Sequence, residues 1–187
     1  MEIEFVNKPY PKTYAIMEDG EVVKKVSLSI VSLGKLSTVS SLEEIGELEY
    51  IGSIKYAVRL LARQGLHTSQ LKSKLSTHYV SADVQKKVCD YCVDQGWIKD
   101  CEWVESRVRS WQRQGKGSRD IRFRLQKLGI EADIELDDRE TLVSLVERKY
   151  PQLLDGQCVR KERDRIIRSL LRRGFSFSLI NELLHNK

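Results

Sequence analysis

The spacing of the apolar residues along the chain changes near residue 50. Before it, residues 14–17 and 21–23 form two short runs rich in strand-forming side chains, and Asp19-Gly20 between them is a typical two-residue hairpin turn. From Ile54 onward the apolar residues recur every three or four positions, which is the period of an amphipathic helix. The pattern therefore predicts a mainly α-helical protein with a small N-terminal extension that contains a β-hairpin.

An internal repeat is marked by three glycines, Gly65, Gly115 and Gly174. Apolar residues stand four positions before each glycine (Leu61, Trp111, Leu170), six after it (Leu71, Ile121, Ile180) and ten after it (Leu75, Leu125, Leu184). The position before each glycine belongs to the apolar stripe of one helix. The two positions after it are one helical turn apart, so both face the core from the next helix.

The helix ends can be predicted from the same repeat. Each glycine is expected to end its helix in the left-handed conformation, which glycine adopts at low steric cost. Thr68 and Ser118, three positions after their glycines, are expected to be the N-caps of the next helices. Phe177 takes this position in the third copy, so Ser176 or Ser178 is expected to cap there.

A third helix is predicted at residues 82–95 in the first copy and at 139–150 in the second, whereas the third copy stops before one. Repeats of this length form tandem modules that pack against their neighbours in an elongated arrangement. The predicted organisation is a β-containing extension (1–50), a first three-helix repeat (51–99), a second one (100–155) and a truncated third (156–187).

Charge is unevenly distributed between the two ends of the chain. Residues 1–50 carry 5 basic and 9 acidic side chains, whereas residues 51–187 carry 27 and 18. This difference favours a boundary near residue 50 and an anionic partner for the helical body. Residues 107–127 hold eight basic side chains and a single acid, Asp120. A lone arginine on a helix is usually a solvated side chain, but a cluster with so few acids favours binding to phosphates or to an acidic protein surface.

Two sets of basic residues are therefore candidates for a contact surface. The first set lies in the second repeat: Arg107, Arg109, Arg113, Lys116, Arg119, Arg122, Arg124 and Lys127. The second set lies in the C-terminal repeat: Arg163, Arg168, Arg172 and Arg173.

Three tryptophans could stack on nucleic-acid bases, but packing is the stronger interpretation. Trp111 occupies a repeat position that Leu61 and Leu170 hold in the other copies, so we expect it in the core. Trp97 and Trp103 flank the junction between the first two repeats, where we expect them to pack one module against the other.

Metal and catalytic sites have little support in the sequence. The four cysteines are too few for a disulfide framework, and the three histidines lack the spacing of a zinc site. No phosphate-binding loop and no nucleophile motif is present. We therefore predict a protein that is not an enzyme and has no metal and no cofactor. Without a long apolar run or a signal-like start, it is expected in the cytoplasm, away from membranes.

Several short segments, taken in order, resemble the RecX family. The segments are 56–63 with 69–75 (the first RecX repeat), 96–104 (the junction between repeats), 107–129 (the basic second repeat) and 172–184 (the C-terminal signature). Each segment alone is common in helices, but their order and spacing are specific and extend over residues 52–187. The chain departs from the family pattern at Trp97, at Lys99 and in an acidic insert at 131–140.

The resemblance implies a non-enzymatic, monomeric regulator of the RecA recombinase. Such a protein binds the filament of RecA on single-stranded DNA and inhibits its ATP hydrolysis, strand exchange and SOS co-protease activity. The implied partner is the RecA filament, with single- or double-stranded DNA as a further candidate. The alternative is a stand-alone nucleic-acid-binding protein of helix-turn-helix-like modules. Against it, the second helices place no Asn or Gln at a fixed position for contacts to base edges.

Overall fold

The computed structural model describes residues 2–6, 12–31, 41–154 and 158–185, and for residues 2–6 it describes the backbone alone. The fold is mainly helical with a small N-terminal sheet, as the apolar pattern predicts. The chain forms two compact units, Met1–Trp103 and Val104–Lys187. No helix within the described ranges is long and apolar enough to cross a bilayer.

The first unit begins with a three-stranded antiparallel sheet in the order β1-β2-β3, formed by Glu2–Val6, Thr13–Glu18 and Glu21–Ser27. The predicted hairpin is confirmed as β2 and β3. Asp19 and Gly20 between them have φ values of 51° and 82°, which a type I′ turn requires. Strand β1 was not predicted, and it pairs with the other side of β2.

In the described part of the first unit the sheet is followed by α1 (Leu42–Leu61), α2 (Thr68–Ser76), α3 (Ala82–Asp94) and the first turn of α4 (Asp100–Arg113). The boundary expected near residue 50 lies inside α1, so the acidic head continues into the first repeat without a break in the backbone. The division of the chain near residue 50 stays a prediction. The backbone at Ile30 crosses α1 so closely that a Cβ on Gly52 would overlap the Ile30 carbonyl.

Buried polar contacts fasten the hairpin to the first repeat. The Glu49 carboxylate of α1 is 1% exposed, and it accepts hydrogen bonds from Lys24 Nζ at 3.0 Å and Ser81 Oγ at 2.9 Å. The ring of His78 lies between Ser27 Oγ and Tyr56 Oη, at 3.0 and 3.1 Å. The head and the first repeat also share one apolar core, which includes Ile16, Val26, Ile45, Ala57, Leu71, Leu75 and Val88.

Where the structure describes it, the second unit contains the rest of α4 followed by α5 (Ser118–Lys127), α6 (Asp138–Lys149), α7 (Pro151–Leu154), α8 (Arg160–Arg172) and α9 (Phe177–His185). The third helix predicted at 139–150 is confirmed as α6. An apolar core cluster of the second unit is formed by Leu142, Leu145, Val146, Leu153, Ile166, Leu170, Phe175 and Ile180. The expected boundary between residues 155 and 156 lies outside the described residues.

Two of the three repeat glycines end their helices as predicted. Gly115 and Gly174 adopt φ values of 73° and 92°, in the left-handed region. The prediction is wrong for Gly65, whose φ is not left-handed. Helix α1 has already ended at Leu61, so Gly65 does not have to reverse the chain, and its carbonyl instead accepts a hydrogen bond from Trp103 Nε1 at 3.1 Å.

The N-cap of α2 is His67, one residue before the predicted Thr68. The His67 side chain accepts a hydrogen bond from the Ser69 amide at 3.1 Å. Thr68 is the first helical residue, and its amide is bound at 2.8 Å by the carboxylate of Asp100, at the start of α4. The prediction was wrong because this carboxylate is distant in sequence and takes the role expected of a local hydroxyl.

The N-cap of α5 is Gly117, again one residue before the predicted Ser118. The Ser118 amide is bound at 2.8 Å by the carboxylate of Asp138, the first residue of α6. In the third copy Ser176 caps α9, one of the two serines expected there, and its Oγ accepts from the Leu179 amide at 3.2 Å. The N-cap therefore stands two positions after the glycine in every copy.

The backbones of the second and third copies cross at Gly117 and Gly174. The Gly117 amide donates to the Arg173 carbonyl at 2.7 Å, and the Arg119 amide donates to the Gly174 carbonyl at 3.3 Å. A Cβ on Gly117 would lie 2.6 Å from the Gly174 carbonyl carbon, a distance that real Cβ atoms essentially never show. Only glycine therefore fits at residue 117.

We expect the chain to lose stability as the pH falls below 6.5, partly through His78. Burial, with a smaller contribution from the Lys74 charge, lowers the pKa of His78 below 6.5. The folded chain thus binds this proton less readily than the unfolded chain, and the stability present above pH 6.5 is lost as the pH falls towards the folded-state pKa. Urea unfolding followed by circular dichroism, from neutral to mildly acidic pH, measures the loss.

The control for this prediction is His78→Gln, which keeps a polar side chain that does not titrate. Its pH dependence should be shallower than that of the wild type. Some dependence should persist, because burial also lowers the pKa of His67. Identical pH profiles for the two proteins would contradict the role given to His78.

Substitution of Gly117 by alanine should destabilise the protein by about 1–3 kcal/mol or more, because the new methyl group overlaps rigid backbone. The matched control is Gly46→Ala in α1, where an added Cβ meets open space. That change should stabilise the protein by about 0.5–1 kcal/mol, since alanine favours a helix interior over glycine. Thermal unfolding of both variants measures the two changes in stability. Equal changes would contradict the close approach of the backbones at Gly117 and Gly174.

Candidate functional site

The twelve predicted cations all lie in the second unit and differ in exposure. Nine are exposed: Arg107, Arg109, Arg113, Arg119, Arg122, Lys127, Arg163, Arg168 and Arg172. Three are half-buried: Lys116, Arg124 and Arg173. The second group has structural contacts, so the basic residues do not form one uniform surface.

Two of the half-buried cations share the one acid of the cluster. Lys116 Nζ lies 3.6 Å from the Asp120 carboxylate, and the Arg124 guanidinium binds the same oxygen from the other side. Arg124 also lies over the Trp111 ring, 5.7 Å from its centroid. The contact with Trp111 joins α5 to α4, and the pairing with Asp120 leaves Lys116 and Arg124 poorly placed to bind a partner.

Arg173 is the third structural cation. Its Nη1 donates hydrogen bonds to the carbonyls of Gln114 and Gly115, at 3.1 and 3.3 Å. These carbonyls follow the last turn of α4, where a helix concentrates partial negative charge. Arg173 therefore ties the end of α8 to the end of α4.

The exposed cations of α4 face acidic groups. Arg109 pairs with Glu105 at 3.5 Å on its own helix. Arg109 and Arg113 also line a cleft of about 480 Å³ whose other wall, on α6, carries Glu140 and Arg148. Because this cleft has mixed charge, it is a weaker anion site than α5 or α8.

Helix α5 presents a line of three exposed side chains, Arg119, Phe123 and Lys127, which we call the α5 stripe. They are four residues apart, so they share one face of the helix. Phe123 is 53% exposed, and Lys127 Nζ lies 4.8 Å from its ring centroid. The ring was not among the predicted site residues, although the repeat contains a signal for it. The equivalent positions are polar, Ser73 and Glu182.

A groove of about 840 Å³ runs along α8 and α9, and we call it the α8/α9 groove. It is lined by Cys158, Arg160, Arg163, Asp164, Ile167, Arg168, Phe177 and Asn181. Phe177 is 55% exposed. Partial burial and the nearby Glu162 carboxylate raise the pKa of the Cys158 thiol, so it adds no negative charge at neutral pH. The groove is cationic at its rim and apolar at Ile167 and Phe177.

The tryptophans are mostly structural. Trp111 is 9% exposed and belongs to the interior, as predicted. Trp103 lies in the first unit, where its Nε1 donates to the Gly65 carbonyl and its ring meets the His67 ring edge-on. Trp97 is 43% exposed and meets the Tyr91 ring of its own repeat edge-on.

The N-terminus of α5 is closed by protein groups. The amide of Ser118 is bound by Asp138, and the amide of Arg119 is bound by the Gly174 carbonyl. A helix whose first amides are occupied in this way cannot bind a phosphate end-on. The N-terminal end of α5 is therefore not available to a phosphate, whereas its outer side is exposed. Over the described ranges, no group of three His, Cys, Asp or Glu side chains is placed to hold a metal ion.

Comparison with known proteins points to one family. The family model described as RecX, third three-helix domain, matches residues 137–184. The Regulatory protein RecX of Pseudomonas tolaasii is 30% identical over 137 residues, which cover 70% of this chain and 88% of that protein. The Regulatory protein RecX of Staphylococcus carnosus is 27% identical over 169 residues, 82% of this chain. The match spans 61% of the length of that longer relative.

A solved structure has the same fold. The crystal structure of RecX from Lactobacillus salivarius superposes with a TM-score of 0.59 at 22% identity, over 73% of this chain and 95% of that one.

Arg172 and Arg173 are adjacent in sequence and test the distinction between exposed and structural cations. Substitution of Arg173 by methionine removes two hydrogen bonds to helix-end carbonyls and should destabilise the protein by about 1–3 kcal/mol. Substitution of the exposed Arg172 by methionine should change stability by less than about 0.5 kcal/mol. Urea unfolding of both variants gives the comparison. An Arg172 effect as large as the Arg173 effect would contradict the division.

Proposed function

This chain belongs to the RecX family, and from that membership we propose that it binds the RecA filament on single-stranded DNA and restrains it. In this proposal it acts as a cytoplasmic monomer and performs no catalytic step. By bridging neighbouring RecA subunits it hinders filament growth, ATP hydrolysis and strand exchange. The same bridging blocks access to the filament for SOS co-protease activity.

The observation that carries the proposal is the exposed basic surface of the second unit. Nine of its predicted cations are exposed, while Asp120, the single acid of residues 107–127, is engaged by Lys116 and Arg124. An exposed surface of this kind attracts a polyanion and speeds association with it. A protein filament on DNA offers the phosphates that such a surface can bind.

The α8/α9 groove is the part best suited to contact RecA itself. It is concave, and it combines arginines with an exposed aromatic ring, the side chains that contribute most at protein interfaces. Asp164 and Asn181 add polar groups that can fix the orientation of a partner. The second predicted set, with Arg163 and Arg168, therefore becomes the leading candidate for the RecA contact.

The alternative of a helix-turn-helix-like DNA reader has less support. Such proteins insert the N-terminal part of a recognition helix into the major groove. In α5 that end is occupied by Asp138 and by the Gly174 carbonyl. The closed end favours a regulator that binds with the sides of its helices.

The double variant Arg163→Glu/Arg168→Glu should weaken inhibition of RecA by about tenfold or more, because two attractive charges in the α8/α9 groove become repulsive. The measurement is DNA-dependent ATP hydrolysis by RecA, titrated with this protein below one copy per RecA. The wild type should lower the rate at these ratios, since one bound copy restrains more than one subunit.

A matched control is Lys86→Glu/Lys87→Glu, which makes the same charge change at exposed positions of α3. It should leave inhibition within about twofold of wild type, because only long-range electrostatics are altered. If the wild type has no effect at one copy per RecA and binds bare DNA tightly, the stand-alone DNA-binding alternative is correct. If both double variants lose inhibition equally, net charge and not the groove is responsible.

A further inference from the structure

The α5 stripe has an aromatic ring with one cation a helical turn before it and another a turn after it. Phe123 is more than half exposed, although burying a phenylalanine ring is favourable by about 1.5–3 kcal/mol. The Lys127 ammonium lies over the ring, and the Arg119 side chain is exposed. The ring thus stands in water between two positive charges.

The surroundings of the ring indicate what kind of partner covers it. The other exposed residues of α5 are Arg122 and Gln126, so Phe123 is the one large apolar side chain on the outer face of this helix. An aromatic anchor for a protein partner is commonly part of a larger apolar patch. A single ring among cations instead fits a partner that offers flat apolar faces and negative charge together, as a nucleic acid does.

The same features favour an unpaired strand over a duplex. In a duplex each base is stacked between its neighbours, so no base face is free to lie on an exposed ring. Single strands are bound by this combination of aromatic platforms and backbone-binding cations. The closed N-terminus of α5 also prevents the helix from entering the major groove end-on.

We propose that the α5 stripe is a contact for single-stranded DNA, in which Phe123 stacks on an unpaired base and Arg119 and Lys127 bind the phosphates on either side. Arg122 has a smaller part, because its guanidinium already donates to the Ile134 carbonyl at 3.5 Å, within the acidic segment 131–137. This inference rests on the proposed function. It assigns the DNA strand of the filament to α5 and the RecA protein to the α8/α9 groove.

The test is binding of a fluorescein-labelled oligothymidine, followed by fluorescence anisotropy over a range of salt concentrations. Phe123→Ala should weaken binding by about 5- to 150-fold, the range for loss of one stacked base. It should leave the dependence on salt unchanged, because no ionic contact is lost. Arg119→Gln and Lys127→Gln should each reduce the slope of log K against log salt by about 0.7, the value for one phosphate on a single strand.

An oligonucleotide with abasic sites isolates the stacking contact. The wild type should bind it as weakly as Phe123→Ala binds oligothymidine, and Phe123→Ala should lose nothing further on the abasic strand. Phe123→Trp should restore binding to the normal strand. The control Phe177→Ala removes an equally exposed ring from the α8/α9 groove, and its affinity for oligothymidine should stay within about twofold of wild type.

RecA inhibition by the same variants separates this inference from the proposed function. The inference is overturned if Phe123→Ala binds oligothymidine with the same affinity as the wild type. It is also overturned if the wild type does not bind oligothymidine. In either case, inhibition of RecA by the wild type decides the proposed function independently. If Phe123→Ala loses inhibition but keeps its affinity for oligothymidine, the ring contacts RecA protein, and the assignment to DNA is wrong.

Discussion

The backbone crossing at Gly117 and Gly174 fixes the geometry of the second unit. Two amide–carbonyl hydrogen bonds join the turns directly, at 2.7 and 3.3 Å, and no side chain separates them. The crossing sets where α5 begins relative to the end of α8, and Arg173 extends it to the end of α4. The α5 stripe and the α8/α9 groove lie on helices that start or end at this point. The geometry of the α5 stripe and of the α8/α9 groove therefore depends on two glycines that lie outside both surfaces.

The ion pairs of Asp120 determine which cations of residues 107–127 remain available to a partner. An acid on an exposed helix can offset any of its basic neighbours, but this carboxylate is engaged by Lys116 and Arg124. Arg124 in turn rests on the buried Trp111. The cluster thus divides into an inner group that packs α4 on α5 and an outer group that remains exposed. Sequence counting gives the total charge, whereas only the contacts show which part of it faces solvent.

The positions of the helices could be predicted from the sequence, whereas the residues that cap them could not. Apolar periodicity located α2, α3, α5 and α6 to within one or two residues, because core packing and helix period depend on local spacing. The caps of α2 and α5 were predicted one residue too late, because Asp100 and Asp138 bind the amides of Thr68 and Ser118 from 32 and 20 residues away. Phe123 was not among the predicted site residues because those residues were selected by their charge. The other repeats have polar residues at its position. A comparison of outward positions between repeats would have found it.

The repeats share a framework but differ in their outer surfaces, and in the proposed function this difference selects the second repeat for binding. Two positions after its glycine, the first repeat has His67, which caps α2 with its own side chain, whereas the second has Gly117, which has none. The loss of the side chain lets the third repeat approach. Asp138 binds the Ser118 amide as Asp100 binds the Thr68 amide in the first repeat. Along the next helix the first repeat presents Ser69, Ser73 and Thr77 where the second presents Arg119, Phe123 and Lys127. These outward residues do not hold the fold together, so they can change between copies without altering the core. The second repeat is therefore the copy whose helix start is closed by the backbone of the third repeat and whose helix side carries the α5 stripe proposed to bind DNA.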